Sequence, residues 1–121
     1  MDKFNIKDSH PNISRLEKLF LEEGVLTKFK KNEYLVRQNE KTNQIGFIMS
    51  GMFRLSHIDA DANEWIVGYS FVNDFVCDYP SFIKQATSTV NIQATTECEG
   101  YLLSLNHVCR DIPTLIRLLL R

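Results

Sequence analysis

Apolar residues recur along this chain with two periods, and the changes between them divide it into three parts. Between residues 12 and 23, Ile13, Leu16, Leu19 and Phe20 share one face of a 3.6-residue helix. Ser14-x-x-Glu17 has capping-box spacing there, and Gly24 supplies a stop. The prediction is a short amphipathic lid over 12–23. From 25 to 105 the texture changes to short β-rich runs at 33–38, 44–50, 52–58, 64–71, 89–95 and 101–105, separated by turn residues. After Leu105 the helical period returns: Asp111 is placed to cap, Pro113 fits a first turn, and Leu115, Ile116, Leu118, Leu119 and Leu120 follow. Many short strands with close turns predict a small barrel or sandwich between flanking helices.

Two turns carry their own chemistry. Ser50-Gly51 breaks an apolar run where positive φ or a close backbone approach is expected. Asp59-Ala60-Asp61-Ala62-Asn63 forms a polar hairpin tip between two β-rich runs.

Composition narrows the function. The chain has 121 residues, which suits one hydrophobic core, so residues 1–121 are expected to form one domain. Lys+Arg 14 against Asp+Glu 15 gives a net charge of -1, which provides no general attraction to phosphate backbones or anionic membranes. No apolar run approaches the roughly 20 residues of a membrane helix, and the first residues lack the basic flank and apolar stretch of a signal peptide. A cytoplasmic location and no membrane partner are the expectations. Cys77, Cys98 and Cys109 are too scattered for a disulfide framework and read as small buried hydrophobes.

Three segments, Lys31 to Glu40, Ile45 to Leu55, and Asn73-Asp74-Phe75 with the run 89–98 and Leu102 to Leu105, resemble in that order the sensor domain of the CRP/FNR family of transcriptional regulators. Lys31-Asn32-Glu33-Tyr34-Leu35-Val36-Arg37-Gln38-Asn39-Glu40 is similar to that family's first strand and turn, with Asn32 and Asn39 where glycine is usual. Asparagine tolerates the left-handed region, so both turns are expected to persist. Ile45-Gly46-Phe47-Ile48-Met49-Ser50-Gly51-Met52-Phe53-Arg54-Leu55 matches the next strand pair. Asn73-Asp74-Phe75, the run 89–98 and Leu102 to Leu105 match the later elements. The resemblance implies a double-stranded β-helix, a jelly-roll-like β-roll over 25–105. It also implies a helix at 12–23 and, from 106–121, the start of a C-terminal dimerisation helix. The implied function is effector-linked movement of helices. DNA would be contacted only through a helix-turn-helix domain absent from this chain.

In that family, cyclic-nucleotide binders use a short turn-helix whose amides meet the phosphate, a Glu for the ribose hydroxyl and an Arg for the phosphate. The matching segment here is Phe75-Val76-Cys77-Asp78-Tyr79-Pro80-Ser81-Phe82, with Cys77 at the usual glycine and Asp78 at the usual Glu. Counting back from Val90-Asn91-Ile92-Gln93-Ala94 puts Ser88 at the Arg position. Loss of a charge-assisted bond of about 1.5–3 kcal/mol weakens phosphate binding at least tenfold, and Lys84 is the nearest substitute charge in the following loop. A cyclic nucleotide is therefore a disfavoured ligand, and no cofactor is expected. Two alternatives stay open. Tyr79, Phe82 and Ile83 fill the roll's interior, or an unknown, less anionic effector meets Asp78, Tyr79, Ser81, Phe82, Ser88 and Thr89.

A metal-binding reading of a different class rests on Gly51-x5-His57-x-Asp59-x4-Glu64, close to the spacing of cupins, which are also small β barrels. It lacks a second His at 59. Asp59-x-Asp61-x-Asn63 begins like a calcium loop, but Glu64 and Ser70 stand where Gly and Glu are needed. No nucleophile elbow or glycine-rich phosphate loop is present, so no enzyme activity is expected. The near-continuous apolar surface at Leu115, Leu118 and Leu119 predicts a homodimer through the C-terminal helix.

Overall fold

The computed structural model describes residues 5–6, 13–41, 43–84 and 86–104. Among them the order is β1 (Asn5–Ile6), α1 (Ile13–Glu23), β2 (Val25–Phe29), β3 (Tyr34–Val36), β4 (Gln44–Ser50), β5 (Phe53–Ile58), β6 (Glu64–Ser70), β7 (Phe75–Val76), α2 (Tyr79–Lys84), β8 (Asn91–Ala94) and β9 (Cys98–Ser104). Two antiparallel sheets result, ordered β1-β7-β4-β9-β2 and β3-β8-β5-β6. This is the jelly-roll-like β-roll expected from the sequence. The C-terminal helix at 106–121, with Leu115, Leu118 and Leu119, lies outside the described residues, as does Cys109.

The core sits between the sheets. Ile48, Phe53, Leu55, Val76, Val90, Ile92, Ala94 and Cys98 are buried together, and Phe29 of one sheet meets Phe53 of the other edge-on at 5.2 Å. A second aromatic cluster anchors α1. Phe20, fully buried, meets Phe75 at 5.1 Å and Phe47 at 6.3 Å, while Phe47 and Phe75 stack at 4.8 Å. Burying such a ring stabilises by about 1.5–3 kcal/mol, and among the described side chains of α1 Phe20 is the fully buried one.

Several local expectations are corrected. Ser14 lies inside the first turn of a helix that starts at Ile13, so it is not the cap. β1, β2 and β7 are strands that the sequence pattern does not mark. The run expected at 89–95 pairs only from Asn91 to Ala94, and the last strand starts at Cys98 rather than at 101.

The turns at Asn32, Asn39 and Gly51 follow the predicted chemistry; Asn73 and Ala62 also adopt positive φ, which the sequence does not announce. Asn32, Asn39 and Asn73 have φ of 74°, 72° and 73°, and Gly51 has φ of 84°. A Cβ at Gly51 would lie 2.5 Å from the Glu97 carbonyl oxygen and 2.6 Å from Cys98 Sγ. The close approach and the positive φ expected there are both present. At the β5–β6 tip, Asp59 Oδ1 accepts from the amides of Asp61 and Asn63, and Oδ2 accepts from Trp65 Nε1 at 2.9 Å.

Candidate functional site

The segment after β7 turns into α2 through Asp78. The Phe82 amide donates to the Asp78 carbonyl, opening the helix, and the Ser81 amide reaches Asp78 Oδ1 at 3.3 Å, an N-cap arrangement. Asp78 Oδ2 accepts from Ser81 Oγ at 3.0 Å, from the Thr89 amide at 2.8 Å and from Thr89 Oγ1 at 2.7 Å. Asp78 is 2% exposed. Three of the sequence-predicted residues, Asp78, Ser81 and Thr89, thus form one hydrogen-bonded unit joining α2 to the loop before β8.

Ser88 stands beside that unit and faces elsewhere. Its amide donates to the Glu40 carbonyl and its carbonyl accepts from Asn39, which ties it to the turn after β3. Its hydroxyl donates to the Val90 carbonyl at 2.7 Å and accepts from the Val90 amide at 3.2 Å. Ser88 is buried and its polar atoms are engaged by backbone. Phe82 is fully buried and Lys84 is exposed on the last turn of α2. The side chains of Tyr79 and Ile83 lie outside the described residues.

At the turn that leads into α2, a cavity of about 20 Å³ is lined by Leu35, Val36, Lys41, Asn43, Gln44, Cys77, Asp78 and Ile92. That volume holds about one water, whereas small-molecule sites run to about 300–1,000 Å³. Burial pushes the Cys77 thiol well above its usual range, and the neighbouring Asp78 carboxylate adds to the shift. Cys77 is therefore a protonated lining group and a poor nucleophile. Sequence reasoning missed Lys41, Asn43 and Gln44. The signal for them was a polar run from 38 to 44, longer than the 2–5 residues of a usual hairpin loop.

The cupin-like trio is not brought together. His57 Nδ1 contacts the Thr89 carbonyl at 2.7 Å, Asp59 holds its own hairpin tip, and Glu64 faces Arg54 at 3.7 Å. Among the described residues no group of three or more His, Cys, Asp or Glu is arranged to hold a metal ion.

The roll with its α2 segment matches the profile of the cyclic nucleotide-binding domain over residues 26–109. The chain belongs to the cyclic nucleotide-binding domain family. None of the curated proteins compared with it matches. Among solved structures, this cyclic nucleotide-binding domain resembles the sensor domain of the transcriptional regulator DNR from Pseudomonas aeruginosa. The TM-score is 0.71 at 19% identity, over 91% of this chain and 77% of that one. It also resembles the c-di-GMP responsive global regulator CLP of Xanthomonas campestris, with TM-score 0.69 and 20% identity, over 78% of this chain and 45% of that one. A regulatory subunit of a cAMP-independent protein kinase A from Trypanosoma cruzi, bound to guanosine, gives TM-score 0.66 at 24% identity over 76% and 33% of the two chains. At these identities the likeness is one of fold, and this chain spans less than half of the Xanthomonas regulator. Among the described residues no helix is long and apolar enough to cross a membrane.

Proposed function

We propose that this cyclic nucleotide-binding domain is the effector-sensing and dimerisation module of a CRP/FNR-like transcriptional regulator, non-enzymatic, with a cassette altered so that cyclic nucleotides are not its effectors. One observation carries the reading. Asp78, at the position where the resemblance puts a ribose-binding Glu, has its carboxylate turned inward onto Ser81 and Thr89. Ser88, at the phosphate-pairing position, offers no cation, and its hydroxyl is bonded to the backbone of Val90. Where a cyclic phosphate needs a guanidinium it would meet only the backbone-bonded hydroxyl of Ser88, so the charge-assisted bond is missing.

The fully buried Phe82 and the small cavity support a closed interior. An uncharged effector fits the same electrostatics, and the fold has a precedent in the guanosine-bound Trypanosoma subunit, since a nucleoside carries no phosphate. Homodimerisation through Leu115, Leu118 and Leu119, and DNA contact through a helix-turn-helix domain, complete the proposal.

Calorimetry with cyclic AMP tests the altered cassette. The expected result is no binding tighter than a Kd of about 10 μM, which corresponds to roughly -7 kcal/mol. Tighter binding would overturn the reading. Ser88→Arg with Asp78→Glu, which restores both chemical groups, should raise affinity at least about tenfold.

A further inference from the structure

Four donors converge on a single buried carboxylate, and helix capping accounts for only part of the set. Capping needs the Ser81 amide. It does not need the Thr89 amide and hydroxyl, which reach the same Asp78 oxygen from eleven residues further along at 2.8 and 2.7 Å. With the Ser81 hydroxyl at 3.0 Å, Oδ2 alone accepts three hydrogen bonds. Among the described residues Asp78 has no ion-pair partner, so its charge is held by neutral donors alone. Two hydroxyls and two amides, three on Oδ2 and the Ser81 amide on Oδ1, are what a free oxyanion would need. We infer that Ser81 and Thr89 form a small oxyanion cradle that the chain fills with its own Asp78 carboxylate, a covalently attached anion that staples α2 to the loop before β8.

The staple has a consequence for any ligand. A carboxylate or phosphate entering the roll finds those donors taken, and it must expel Asp78 into a cavity of about 20 Å³ to use them. The cradle stands on the geometry; the further statement that the staple gates an effector rests on the sensor reading. Thr89 is also the point where β5 joins in, because its carbonyl contacts His57 Nδ1 at 2.7 Å. Release of Asp78 would therefore loosen α2 and the pre-β8 loop together.

Removing the internal anion and returning it from solution tests the idea. Asp78→Gly deletes the carboxylate and its Cβ but keeps all four donors. Thermal unfolding of this variant and of the wild-type chain is compared in about 200 mM sodium formate and in sodium chloride of equal ionic strength. Formate bound with a dissociation constant of about 50 mM would shift the variant's folding equilibrium about fivefold, a rise of roughly 4 °C, and would leave the wild type unmoved. An equal rise in both proteins, or none in a folded variant, would overturn the cradle.

If Asp78→Gly does not fold in either salt, a cycle of Asp78→Asn and Thr89→Val decides. Coupling of at least about fivefold in the unfolding constant supports the cradle, and independent effects refute it. A failed rescue would leave the sensor reading intact, since calorimetry on the wild type tests that separately.

Discussion

At the scale of single residues, much of the turn chemistry follows from side-chain type. Asn32, Asn39 and Asn73 occupy left-handed backbone, the region asparagine tolerates, and Gly51 sits where a Cβ would strike Glu97 and Cys98. Asp59 yields a prediction at this scale. The Trp65 indole N–H, then the amide of Asn63 and that of Asp61, hold its carboxyl below the ordinary value of 3.8. A group depressed on folding contributes stability that is present above its unfolded pKa and lost as pH falls through the folded one. The fluorescence of Trp65, the chain's one tryptophan, should therefore change on acidification below pH 3.8, and Asp59→Asn should abolish that step. A Trp65 signal flat from pH 5 to 2 in the wild type would show that the contact is not made. What residue type does not reveal is direction. Ser88 is found by counting back from 90–94, yet nothing in the sequence says that its hydroxyl turns to Val90. Asp78 and Thr89 meet only because the roll brings α2 against the loop before β8.

Among elements, legibility tracked burial. The sequence pattern marks β4 with its observed bounds, since its residues from Ile45 to Ile48 are all buried and its ends are polar. β2 shows no such signature: Val25, Leu26 and Lys28 are exposed and only Phe29 is buried, so there is no alternation to read. β7 is two residues long, too short for any period. The start of β9 reads as a polar turn, Glu97-Cys98-Glu99-Gly100, but becomes strand because β2 and β4 pair with it on both sides. Among the described side chains of α2, Phe82 is a fully buried ring. Phe82→Ala should lower stability by about 3–5 kcal/mol, measured as a fall in the urea midpoint. A loss below about 1 kcal/mol would mean that α2 is not packed as described. The candidate site was legible as a cluster of residue types; its internal bonding was not.

For the whole molecule, the exposed edge strand β6 bears Trp65, Ile66 and Val67, and Phe71 and Val72 extend the apolar surface beyond it. Apolar area of this kind is what an interface covers. The proposed dimer should appear in sedimentation at tens of micromolar, and Leu118→Glu with Leu119→Glu should shift it to monomer or aggregate. A strictly monomeric wild-type chain would remove the dimer from the proposal. The strand order has a different consequence, which concerns time rather than geometry. β9 lies between β4 and β2, and β8 between β3 and β5, so each sheet receives a late strand between two early ones. During synthesis the β5–β6 hairpin has its partner at once, while β2, β3 and β4 emerge with unmatched edges. Those edges stay open until the ribosome has delivered residues 91–104. Non-local pairing of this kind slows folding and lengthens the interval in which sticky strands are exposed. The nascent roll is thus most in need of a chaperone just before its last two strands appear.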